Sequence, residues 1–210
     1  MWDLLKNETV QTIILIAIII GVVATFWFGL RFALRTDYPL LAVASGSMED
    51  TLFRGDLIMV QGGLNYTELN AAPAEAQSPG EIVVFYDPKY GRATVYLPVA
   101  GKDMRLIVHR AISKVKNNGT WYFQTKGDGN ASPDSWPERP ETWEGRISEN
   151  LIVGKVVGKV PWLGHIPLFM HENRISATIV IILLFVVLIV VDFVFPKKRK
   201  EKQKGDEESC

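Results

Sequence analysis

Three short stretches of the chain hold the side chains that acyl-transfer chemistry requires. Ser45-Gly46-Ser47-Met48 supplies two hydroxyls around a glycine, followed by Thr51-Leu52 and Arg54-Gly55-Asp56. Leu106-Ile107-Val108-His109-Arg110-Ala111-Ile112 carries an imidazole, and Lys126-Gly127-Asp128-Gly129-Asn130-Ala131-Ser132-Pro133-Asp134 carries two carboxylates. A hydroxyl attacks a carbonyl well only when a base takes its proton and donors meet the developing oxyanion. A carboxylate behind the imidazole holds its tautomer and stabilises its cation. Each stretch also has a plainer reading. Ser and Gly form turns, a lone strand histidine is more often structural, and Gly/Asn/Asp loops close hairpins. Asp128, Asn130 and Asp134 resemble part of a calcium loop too, without the spacing and terminal glutamate of an EF-hand. The order Ser–His–Asp within one domain favours catalysis over these. On a strand, His109 shares a face with Ile107 and Ala111, where small apolar neighbours suit a general base lining a shallow pocket. His165 and His171 read as interfacial and non-catalytic.

The elements that position these residues follow from the spread of apolar residues. Short β-like runs occur at 57–60, 81–86, 93–97, 105–112, 121–125 and 151–160, separated by Gly, Pro, Asn and Asp clusters. That pattern predicts an antiparallel sandwich or barrel. Residues 61–80 and 127–149 read as long loops, a length that often marks function.

Both ends of the chain are of another kind. Thr9 to Leu30 holds no charge, and 22 helical residues reach about 33 Å, enough for a hydrocarbon core of about 30 Å. Ile175 to Phe195 repeats the pattern, with one charge, Asp192, near its far end. The first apolar stretch exceeds a signal-peptide core of about 7–15 residues. The nearest A-x-A site, Ala42-Val43-Ala44, lies well beyond it, so an uncleaved anchor is expected. Lys197, Lys198, Arg199 and Lys200 place the tail in the cytoplasm by the positive-inside rule and outweigh Arg31 and Arg35 on the other flank. The expected layout is a cytoplasmic N-terminus (1–10), a transmembrane helix (11–34), an extracytoplasmic β catalytic domain (36–174), a second transmembrane helix (175–195) and a cytoplasmic tail (196–210). The balance of 23 basic against 23 acidic residues disfavours a nucleic-acid partner. One cysteine, Cys210, excludes an internal disulfide and a multi-cysteine metal site.

Taken together, the motifs resemble the type I signal peptidases, specifically their archaeal and endoplasmic-reticulum branch. The matching text is SGSMEDTLFRGDLIMV, GEIVVFY, IVHRAI with histidine where bacterial relatives have lysine, TKGDGN with Asp134, and IVGKVVGKVPWLG. These boxes fall in the family's order over roughly residues 40–164. The resemblance implies Ser47 as nucleophile, His109 as general base and Asp134 as the triad acid. It implies Asp128 as a supporting acid, and an oxyanion hole formed by the Ser45 hydroxyl and the Ser47 backbone N–H. Two positions depart from the family. Asp50 stands where proline is common, and GDGN with a single later aspartate replaces GDNN with an aspartate pair, which directs the acid assignment to Asp134.

The implied activity is removal of signal peptides from secretory preproteins after small residues at the last and third-last positions, through an acyl-enzyme and with no cofactor or metal. Met48, Ile107 and Ala111 are expected to line the shallow pockets that impose this preference. An extended substrate would pair with a strand of the domain. The lipid bilayer and further membrane subunits or translocation machinery are the expected partners. Two other classes compete: a non-enzymatic membrane-anchored scaffold, and a self-cleaving protease resembling the related repressors, which the two spans and the lack of a DNA-binding segment disfavour.

Overall fold

Four consecutive apolar residues, Ile82-Val83-Val84-Phe85, bury both faces of a strand, and this strand lies near the middle of the sheet. The computed structural model describes residues 8–89, 106–172 and 178–179. Among them a helix, α1 (Glu8–Leu34), precedes eight strands: β1 (Leu40–Ala42), β2 (Leu57–Gln61), β3 (Ile82–Tyr86), β4 (Leu106–Asn117), β5 (Thr120–Lys126), β6 (Thr142–Trp143), β7 (Arg146–Ser148) and β8 (Ile152–Val160). They form one antiparallel sheet in the order β1-β2-β8-β3-β4-β5-β7-β6, curled into a half-barrel.

Strand alternation divides the apolar residues between two clusters. Val83, Phe85, Ile107, Ala111 and Phe123 meet in one, with Ile147 and Leu151. Ile82, Val84, Val108, Ile58 and Val60 meet in the other, together with Met48 and Leu52. The β4–β5 hairpin turns through Asn118-Gly119, whose φ values of +47° and +87° suit the two-residue turn that matches strand twist.

Five of the six expected strands are present, and the sixth (93–97) lies outside the described residues. The loop expected over 127–149 instead contains β6 and β7, two and three residues long. β1 was not expected either. Strands this short show no period from which to read them.

From Ile13 on, most side chains of α1 are apolar and exposed around the helix, and Ile13–Leu34 is long and apolar enough to cross a bilayer. Its last turn is tied to the sheet, because Gly62 N–H donates to Leu34 O at 2.8 Å. A side chain at Gly62 would collide with the Arg35 carbonyl. From Ile166 the chain forms a second unit. Its described part is the helix α2 (His165–Glu172) after its first residue, which was expected to belong to the β domain, and residues 178–179, also helical. The second predicted membrane helix and the basic tail otherwise lie outside the described residues.

Candidate active site

The serine pair sits on a loop closed at its base by two backbone hydrogen bonds. Val43 N–H donates to Asp56 O and Gly55 N–H to Val43 O, each at 2.9 Å. The buried Asp56 accepts from Phe53 N–H at 3.1 Å, which holds the Arg54-Gly55 corner. Between these ties the chain winds through a helix-like turn, with Leu52 N–H donating to Met48 O at 2.7 Å. Asp50 lies in this turn at φ +81°. Aspartate tolerates the left-handed region better than most residues. Proline, locked near −65°, has no access to it. The departure from the family's proline therefore coincides with a backbone that proline cannot adopt.

His109 comes from β4, where it lies opposite Val83, and Ile107 opposite Phe85. Its ring meets the Phe85 edge at a centroid distance of 6.3 Å. Its Nε2 stands 3.2 Å from Ser47 Oγ, and its Nδ1 2.6 Å from Asp134 Oδ2. Histidine and aspartate side chains are about nine-tenths buried, at 10% and 12% exposure. Asp134 is fixed to β5 in turn. Its N–H donates to Thr125 O at 2.8 Å, Thr125 Oγ1 donates to the same Oδ2 at 2.6 Å, and Gln124 Nε2 donates to its carbonyl. Ser45 Oγ lies 3.4 Å from Ser47 Oγ.

Asp128 has a different set of partners. Arg110 grips it through Nε at 2.8 Å and Nη2 at 2.6 Å, and Thr51 Oγ1 donates to it at 2.5 Å. The third guanidinium nitrogen of Arg110, Nη1, donates to Gly80 O at 2.6 Å. Burial pushes the Asp128 carboxyl up, but the Arg110 and Thr51 hydrogen bonds, the Arg110 charge and the nearby His109 outweigh it and hold it below its ordinary value. The two acids thus serve separate ends: Asp134 contacts the imidazole, whereas Asp128 joins the serine loop to β4. The calcium-loop alternative meets a cation already in place, because Arg110 occupies Asp128.

The Asp128 turn also touches the serine loop through backbone. Gly129 N–H donates to Ser47 O at 3.0 Å, and a side chain at Gly127 would run into that same oxygen. Thr51, Arg110 and Gly127 stood inside the three stretches without a role of their own, and Thr125 and Gln124 were not singled out from sequence. An arginine beside the histidine and two glycines around the aspartate were the available signals. The expected pocket trio is not assembled. Met48 is 1% exposed within the cluster of Val84 and Ile58, while Ala111 is fully buried in the opposite cluster with Ile107. The cause is local: Met48 belongs to a turn, so strand alternation does not govern its direction. His165 stacks on Trp162 at 5.5 Å.

A hydroxyl, an imidazole and a carboxylate in this alignment form the constellation of serine-type hydrolases. No protein-family model matches the chain. It is similar to the signal peptidase complex catalytic subunit SEC11 of Tuber melanosporum, 29% identical over 185 residues, covering 88% of this chain and 91% of that protein. Against sec11 of Dictyostelium discoideum the identity is 30% over 169 residues, covering 80% of each chain. Against SEC11C of Homo sapiens it is 30% over 169 residues, covering 80% of this chain and 75% of the human one. The chain belongs to the family of signal peptidase complex catalytic subunits, and is therefore a protease.

Proposed function

We propose that this chain is a membrane-bound serine endopeptidase that removes signal peptides from secretory preproteins. The single observation that carries the mechanism is the line Ser47 Oγ–His109–Asp134, with contacts of 3.2 and 2.6 Å. With its proton on Nδ1, the imidazole donates to Asp134 and leaves Nε2 free to accept the Ser47 proton. Ser47 Oγ attacks the scissile carbonyl, and His109 then passes the proton to the leaving amine. Water repeats the sequence on the acyl-enzyme. The Ser47 backbone N–H and the Ser45 hydroxyl receive the oxyanion.

Two strand edges that are free among the described residues support an extended substrate. β1 ends the described sheet and runs into Ser45 three residues later. β4 pairs with β5 only from Arg110 onward, so among the described residues Leu106–His109 lack a partner on that side. A peptide between these edges lies over the cluster that holds Leu41, Val108 and Met48. A branched aliphatic floor of this kind favours small substrate side chains, in place of the pocket expected from Met48, Ile107 and Ala111. α1 anchors the site at a bilayer, and two spans with both termini in the cytoplasm complete the topology. Preproteins, other complex subunits and the translocation machinery are its partners.

Preprotein cleavage in liposomes tests the reading. Ser47→Ala and His109→Ala are expected to lose about 10⁴-fold or more in kcat with the fold retained, as for other triad members. Undiminished cleavage by Ser47→Ala would overturn the mechanism in favour of a scaffold role.

A further inference from the structure

Among the described residues β4 offers a free edge only as far as His109, because β5 joins it where Arg110 pairs with Lys126. A substrate strand laid along Leu106–His109 therefore cannot continue on β4 past the base. The chain downstream of the scissile bond has to leave the sheet at that point. A cleft of about 220 Å³ opens there, lined by Ile112, Lys126, Asp128 and Pro133, with Ala74 and Glu75 from the 61–80 loop.

Several contacts tie this cleft to the catalytic line. Pro133 directly precedes Asp134, the partner of His109. Asp128 lies in the turn that bonds the Ser47 carbonyl through Gly129. Ile112 sits at an irregularity in the register: Ala111 pairs with Thr125 and Ser113 with Gln124, leaving Ile112 unopposed. A bulge re-aims a side chain, and here Ile112 becomes part of the cleft wall. The 61–80 loop is laced to the same place, with Ala72 N–H donating to Ala111 O at 3.0 Å and Ala111 N–H to Glu81 O at 2.9 Å. Both backbone hydrogen bonds are made by Ala111, the residue that precedes the unopposed Ile112.

We propose that this cleft binds the first residues downstream of the scissile bond, the amino-terminal segment of the mature protein. The inference rests on the peptidase reading above. Ile112, Pro133 and Ala74 offer apolar contact to a short peptide, and Glu75 and Lys126 give the cleft charges of both signs, through which it discriminates among mature N-termini. Binding there holds the leaving segment in line and adds to kcat/KM without touching the reacting atoms.

The test uses the full-length protein in liposomes and two substrates with identical upstream residues. One is a preprotein; the other is a signal-derived peptide ending in a methyl ester at the scissile carbonyl, with nothing downstream. Ala74→Trp, which fills the cleft, is expected to lower kcat/KM about tenfold for the preprotein and less than about twofold for the ester. Glu75→Lys changes an exposed residue and is expected to reduce, by about fivefold, the preference for preproteins with Lys over Glu at the second mature position. An unchanged preference in Glu75→Lys, together with equal effects of Ala74→Trp on both substrates, overturns the cleft. Wild-type protein that cleaves neither substrate overturns the peptidase reading and the cleft with it. Cleavage of both substrates, with the variants indistinguishable from wild type, overturns the cleft alone.

Discussion

Neighbouring residues of β4 carry two unlike tasks. His109 faces Ser47 and Asp134, while Arg110 holds Asp128 with its side chain 9% exposed and that of Asp128 5% exposed. Removing one member of a buried pair leaves the other charge without its partner, which costs about 3–5 kcal/mol. Asp128→Asn is therefore expected to lower the melting temperature in detergent at pH 7 clearly, and cleavage with it, through displacement of the serine loop. The pH dependence has a definite sign. The folded protein holds this carboxyl below its ordinary value, so its contribution is complete above the unfolded pKa of about 3.9 and fades as pH falls through the folded value. The stability gap between wild type and Asp128→Asn should therefore narrow below about pH 4. A gap that stays constant down to pH 2 would refute the role of the pair.

The elements show what the amino-acid order made legible. Ser47, His109 and Asp134 were readable as residue types in order, and β2, β3, β4, β5 and β8 as runs of branched residues bounded by turn formers. β1, β6 and β7 were not, since two or three residues carry no period. The pocket trio failed because alternation applies along β4 and not through the Met48 turn. Gly127 was invisible for a related reason: its requirement comes from Ser47, eighty residues earlier in the chain. Gly127→Ala is expected to push back the Ser47 carbonyl and lower kcat by about 10²-fold, since small displacements of reacting groups cost that much. Gly119→Ala is the matching control. Its φ of +87° makes the change cost about 1 kcal/mol, but open space surrounds it and kcat should stay as in wild type. Equal kcat values in the two variants would show that the Gly127 contact does not position Ser47 for the proposed attack.

At the scale of the whole molecule, the balanced composition averages over unlike parts: an apolar helix exposed around its length, a sheet whose central strand β3 is buried on both faces, and a charged tail. The proposed topology places that tail in the cytoplasm, and the chain supplies its own probe there, because Cys210 is its sole cysteine. In sealed, right-side-out vesicles a membrane-impermeant maleimide should label Cys210 only after permeabilisation. Ser113→Cys, on the exposed part of β4, should add a label without it. Reaction of Cys210 in sealed vesicles would reverse the orientation assigned from the basic cluster.

The alternation of His109 and Arg110 along β4 has one more consequence, which concerns the protein before it is finished. A pairing error of one residue would exchange the faces of the strand and bring a guanidinium, which has no lone pair to accept a proton, up to Ser47. The three groups of the proposed triad come from segments 62 and 25 residues apart. Neither a nascent chain nor a misregistered sheet assembles them. On the proposed mechanism the chain is in this sense its own zymogen: it becomes a protease only when the sheet is correctly paired.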